Sequence, residues 1–145
     1  MTDMMQVVCP HCLTPNRVPA ARLGEDPNCG KCHAQLLASA PRALDEASFD
    51  AFVGPTELPV LVDYWAPWCG PCRAMAPQFE KVAGELRRSV RFAKVNTDEA
   101  QGIAARAAIR SIPTMVLYRA GKELARTSGA MDAGTLRRWL NEHLS

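Results

Sequence analysis

The sequence predicts an α/β protein, with a mixed sheet covered by helices and a small separate module ahead of it. Three observations carry that reading. From Asp45 onward, short apolar runs alternate with segments of helical period. Before Asp45 the chain is rich in Pro, Gly and Asn and shows no sustained helical or strand period. All six cysteines fall in Cys-x-x-Cys pairs, at Cys9 and Cys12, Cys29 and Cys32, and Cys69 and Cys72.

Each element has a local reason. Asp45 can cap a helix carrying Phe49, Phe52 and Val53 on one side, and Gly54-Pro55 ends it. Val60 to Trp65 is nearly all apolar, as in a central strand buried on both faces. Pro71 opens a helix that runs to about Arg88, with Phe79, Val82, Ala83 and Leu86 inward and Pro77 as a kink. Val90 to Val95 reads as a second strand, and Asp98 caps a short helix to about Ala107. Thr114 to Tyr118 and Lys122 to Thr127 form a hairpin turned at Ala120-Gly121. Asp132 caps a last helix with Leu136, Trp139, Leu140 and Leu144 along one face. The strand–helix–strand unit implies a parallel pair, and the hairpin adds antiparallel strands. The boundaries fall at 1–38 for the first module, 39–44 for a linker and 45–145 for the larger domain.

Composition narrows the function classes. Of 145 residues, 48% are apolar and 22% charged, which suits a globular protein with a core. The net charge is +2, and neither part of the chain carries the basic excess that nucleic acid would require. No apolar run reaches the length of a membrane span, and Met1 to Gln6 lacks a signal-like basic start. A cytoplasmic setting is therefore expected. Thiols stay reduced there, so the cysteines should be metal ligands or catalytic groups rather than structural bridges.

Trp68-Cys69-Gly70-Pro71-Cys72 follows a buried strand and opens a helix. At a helix N-terminus, unpaired N–H groups and the macrodipole favour negative charge, so the Cys69 thiol should ionise easily. Cys69 alone is expected to be exposed. Gly70 permits a tight approach, and Pro71 suits the first turn because it has no N–H to leave unpaired. Cys72, one turn inward, can reach Cys69 to close a disulfide. Inert thiols or half of a metal site is the alternative reading. Asp63 interrupts its apolar strand, and periodicity leaves open whether its carboxylate is buried or reaches water.

These residues resemble the thioredoxin family over Ala43 to Ser145. The likeness rests on Val62-Asp63-Tyr64-Trp65-Ala66-Pro67-Trp68-Cys69-Gly70-Pro71-Cys72, on Ser111-Ile112-Pro113-Thr114, on Val95-Asn96-Thr97-Asp98 and on Gly129. The resemblance implies the thioredoxin fold and a protein-disulfide reductase working through Cys69 and Cys72. It further implies that Asp63 is a buried proton acceptor for Cys72, that Lys94 lies near it, and that Pro113 is cis and faces the disulfide. Trp65 and Trp68 would be packing and platform groups. NADPH-dependent thioredoxin reductase would recycle the dithiol, with NADPH held by that partner. No Gly-x-Gly-x-x-Gly loop occurs here, and no bound nucleotide is expected. A monomer acting on oxidised proteins is expected, with no nucleic acid or membrane partner. An oxidant or isomerase on the same fold is the rival activity.

Cys9-Pro10-His11-Cys12, sixteen residues, then Cys29-Gly30-Lys31-Cys32 is a zinc-ribbon-like spacing. Two tight turns can bring four thiolates onto one Zn²⁺, with iron the usual rival. Extra redox pairs or a disulfide framework are the alternatives. His11 and His33 are bystanders where four cysteines fill the site, and His143 suits a helix C-terminus. With the domain that follows, this module resembles the zinc-containing second thioredoxins of bacteria. A binding module that recruits a partner, with the redox domain secondary, is the rival reading from another class.

Overall fold

A computed structural model describes residues 3–144, so the domain limits read at Met1 and Ser145 lie outside the described residues. The N-terminal module holds two strands that the sequence reading misses, β1 (Met4–Val8) and β2 (Pro15–Pro19), paired antiparallel with Met5 opposite Val18. Each has five residues, too short for alternation to show, and Val7 and Val8 are both buried. The two cysteine turns share one geometry. Leu13 N–H donates to the Cys9 carbonyl and His33 N–H to the Cys29 carbonyl, each at 2.9 Å. Each turn closes on a residue with positive φ, Leu13 at 64° and His33 at 67°.

The larger domain is built on a five-stranded sheet in the order β3–β5–β4–β6–β7. Its strands are β3 (Arg42–Leu44), β4 (Val60–Trp65), β5 (Arg91–Asn96), β6 (Thr114–Arg119) and β7 (Lys122–Ser128). β3 lies within the segment read as linker, and it pairs parallel with β5 as an edge strand. β4 runs parallel to β5 and antiparallel to β6, so the sheet is mixed as expected. The β6–β7 turn uses Ala120 at φ 51° and Gly121 at φ 80°, the paired positive values of a tight hairpin.

Helices α1 (Phe49–Val53) and α3 (Gln101–Arg106) cover one face, where Phe49, Phe52 and Ile103 pack on Val60, Val62 and Tyr64. Helices α2 (Gly70–Leu86) and α4 (Ala133–Leu144) cover the other, where Met75, Phe79 and Leu136 pack on Leu61 and Leu117. Asp132 accepts from Thr135 N–H at 2.8 Å, capping α4 as read. Asp45 accepts from Ser48 N–H at 2.8 Å and caps the turn leading into α1. Asp98 does not cap α3. The Glu46 carboxylate does, accepting from Gly102 N–H at 2.7 Å and Ile103 N–H at 3.3 Å. Asp98 is instead held by Trp68.

The module is not a loose appendage. Val8 packs in the core of Phe52, Val60 and Tyr118, while Leu58 packs with Val7, Leu36 and Leu37. Among the described residues no helix is long and apolar enough to cross a membrane.

Candidate functional site

β4 delivers the chain to the end of the sheet, and a turn closed by Cys69 N–H to the Ala66 carbonyl at 3.1 Å leads into α2. Cys69 is the N-cap of this 17-residue helix, in extended conformation, with Pro71 in the first turn. Its Sγ accepts from Cys72 N–H at 3.2 Å, so the helix supplies a donor to the sulfur that would carry negative charge. Cys69 and Cys72 are joined as a disulfide, with Cα atoms 5.2 Å apart. Both are buried, which corrects the expectation that Cys69 alone is exposed. What separates them is the donor and the neighbour. Cys69 Sγ caps the helix and lies 3.8 Å from the Ile112 carbonyl.

The Ile112–Pro113 bond is cis, as the resemblance implies. Its loop is tied down by Thr114, whose hydroxyl donates to the Ser111 carbonyl at 2.7 Å and meets Ser128 Oγ at 2.9 Å. Gly129, at φ 96°, donates its N–H to the Pro113 carbonyl at 2.9 Å. Trp68 is 69% exposed beside the disulfide, and its Nε1–H donates to the Asp98 carboxylate at 3.0 Å. That tether joins residues thirty apart in the chain, and no sequence spacing signals it. The Ile112 carbonyl, a backbone atom, was equally beyond side-chain motif reading.

Asp63 is 1% exposed, so of the two readings left open by periodicity the buried one holds. Alternation along β4 turns it to the side of Leu61, where α2 packs. Burial pushes its carboxyl up to about 7, against a downward pull from Lys94. Lys94 is its register partner on β5, yet the Lys94 ammonium lies over the Trp65 ring, 4.5 Å from the centroid. Asp63 Oδ1 has no hydrogen-bond partner among the described residues.

In the N-terminal module the Cys9, Cys12, Cys29 and Cys32 sulfurs all lie within 4.8 Å of one another, and neither His11 nor His33 joins them. Cys9 and Cys32 sulfurs are 3.6 Å apart, and Cys12 and Cys29 sulfurs 3.7 Å. Four thiolates around one zinc at about 2.3 Å place sulfurs roughly 3.8 Å apart, so the donor set fits that ion. The surroundings fit thiolates as well. His11 and Cys12 N–H groups point to Cys9 Sγ at 3.4 and 3.5 Å, and Lys31 N–H to Cys29 Sγ at 3.4 Å. Asn16, which sequence reading passed over, donates to Cys29 Sγ at 3.5 Å and accepts from Gly30 N–H at 2.9 Å.

Charge in the cluster asks for a cation. The Cys32 backbone N–H and then Asn16 draw the Cys29 thiol down to about 5. Against the pull of the Ala34 N–H, burial and the sulfurs of Cys12, Cys9 and Cys29 push Cys32 up to about 12. Four neighbouring thiols cannot all ionise unless a positive ion balances them.

Comparison with known proteins agrees with both halves. Residues 40–142 match the family profile described as Thioredoxin, and residues 8–34 the one described as Thioredoxin 2, N-terminal. Thioredoxin C-3 of Corynebacterium nephridii is 45% identical over 140 residues, covering 97% of this chain and 96% of that protein. The thioredoxin of Pyropia yezoensis is 45% identical over 100 residues, 69% of this chain and 94% of its own length. Thioredoxin 1 of Synechococcus elongatus is 42% identical over 106 residues, 73% of this chain and 99% of its own.

Proposed function

The chain belongs to the thioredoxin family and is a thiol–disulfide oxidoreductase that reduces protein disulfides, and from that premise we propose how its residues divide the work. The observation that carries the division is Cys69 capping α2 with its sulfur while bonded to Cys72. In the reduced protein, the Cys69 thiolate attacks one sulfur of a substrate disulfide. The substrate S–S bond breaks, a Cys69–substrate disulfide forms, and the departing sulfur takes a proton from water. Cys72 gives its proton to the Asp63 carboxylate and attacks Cys69 Sγ. The Cys69–substrate bond breaks, and the second substrate sulfur leaves as a thiolate that is protonated by water as Asp63 gives its proton back to solvent. Two electrons have passed from the dithiol to the substrate, and Cys69–Cys72 is again a disulfide.

The supporting residues follow their positions. Gly70 and Pro71 keep the turn tight, so that the Cys72 N–H reaches the Cys69 sulfur. Pro113 and the Ile112 carbonyl wall one side of the disulfide, and Trp68 offers an exposed platform to an incoming chain. Family members are generally reduced by thioredoxin reductase, and we assign this chain the same NADPH-dependent partner. Cys9, Cys12, Cys29 and Cys32 are its metal ligands, holding one Zn²⁺ in a structural role. Bound zinc would tie the two cysteine turns into one closed four-thiolate site. The metal module spans 1–38, and the redox domain takes in β3 (Arg42–Leu44) with all that follows, so that only 39–41 join them. A cytoplasmic monomer is the setting this chemistry suits. The test is NADPH oxidation with thioredoxin reductase and a protein disulfide. Turnover should need Cys69, and Cys69→Ser that still turns over would overturn the assignment.

A further inference from the structure

Arg91 opens β5 opposite Val60, at the end of β4 away from Cys69. Its side chain is 4% exposed. One of its nitrogens donates to the Val8 carbonyl at 3.3 Å, and the guanidinium lies over the Phe52 ring, 5.2 Å from the centroid. Among the described residues no carboxylate lies within ion-pair distance of it. The carboxylates on neighbouring segments are engaged elsewhere. Asp26 meets Arg87 at 2.9 Å and Arg88 at 3.1 Å, and Glu57 accepts from Gln6 N–H at 3.0 Å. This largely buried cation therefore has a carbonyl and a ring face beside it but no counter-charge.

The residue after Val8 is Cys9, fully buried, whose sulfur belongs to the four-thiol group. Four thiolates on one divalent ion leave that group with a net charge of about −2. We propose that Arg91 is the counter-charge of the metal–thiolate cluster, making the metal centre a composite site. Four ligands come from the N-terminal module and the balancing cation from the redox domain. Burial pulls the Arg91 guanidinium down to about 10, and the Cys9 sulfur opposes that pull. An emptied cluster would leave a buried positive charge against Phe52 and Val8, so the state of the metal would be felt in the core of the redox domain.

This inference rests on reading the four cysteines as metal ligands, and the experiment separates the two. Zinc is titrated against a competing chelator in the full chain, as wild type, Arg91→Gln and Arg91→Lys, and unfolding midpoints are recorded with and without zinc. Gln keeps an N–H donor but carries no charge, whereas Lys keeps the charge and loses the planar fork. Arg91→Gln should weaken zinc binding about 10-fold to 100-fold, as supporting partners of metal ligands do. Arg91→Lys, which keeps the charge, should weaken it clearly less than Arg91→Gln does. The metal-free midpoint of Arg91→Gln should be unchanged or higher. Arg91→Met takes the same place where Arg91→Gln does not fold. Equal weakening in the charged and uncharged variants would overturn the proposal, as would a midpoint lowered equally with and without zinc. A wild-type chain that takes up no zinc overturns the ligand reading itself, before any variant is compared.

Discussion

Burying the Asp63 carboxyl beside Leu61 and α2 raises its proton affinity, and stability then depends on pH with a defined sign. The folded protein holds that proton up to about pH 7, whereas the unfolded chain releases it near the ordinary 3.8. Between those values the folded state binds more protons, so stability falls as pH rises from about 4 to about 7. Asp63→Asn removes the slope. It should match wild type near pH 4 and exceed it above pH 7 by an amount on the order of 2–4 kcal/mol. Urea unfolding at both pH values checks this, and an equal offset at both would show that Asp63 does not titrate there. Lys94 pulls the same carboxyl down, so Lys94→Met should move the pH midpoint of disulfide reduction upward. A midpoint that stays put or falls would mean Lys94 acts only on Trp65. Of these residues, Cys69 and Cys72 were legible from spacing. Asp63 was ambiguous because both faces of β4 are buried, which erases the alternation that would reveal its direction.

At the scale of elements, the helices and long strands were readable because each carries a cap, a breaker or an apolar run of its own. What escaped the reading was short or held from a distance. β1, β2 and β3 have too few residues to show a period. The α3 cap comes from Glu46, more than fifty residues away. A Cβ at Gly102 would lie 3.0 Å from the Glu46 carboxylate, so a glycine there leaves room for the approach. Glu46→Ala should cost about 1 kcal/mol and speed hydrogen exchange at Gly102 and Ile103. Asp98→Ala should leave that exchange unchanged, because its carboxylate holds Trp68 and not α3. Exchange that responds to Asp98 and not to Glu46 would restore the cap read from sequence.

For the molecule as a whole, the cysteine spacing separated a metal module from a redox domain, but it could not show that they share a core. Composition marks where a segment changes character and says nothing of what packs against it. Val8 inside the Phe52 and Val60 core, and Leu58 inside the module's, mean that the halves cannot loosen independently. Removing zinc should therefore lower the unfolding midpoint of the entire chain by several degrees. Turnover of a small disulfide at room temperature should stay within about twofold, since the module meets the start of β4, about 17 Å along the strand from its redox end. Calorimetry and steady-state kinetics on metal-free protein check both halves; an unmoved midpoint would mean independent folding. In this division of work Cys69 carries electrons to protein disulfides and Cys72 resolves the adduct. Its most direct test incubates reduced Cys72→Ser with an oxidised substrate protein and maps the mixed disulfide by mass spectrometry. A long-lived adduct on Cys69 is expected. An adduct on Cys9, Cys12, Cys29 or Cys32 instead, or none where the wild type reduces the same substrate, would contradict it.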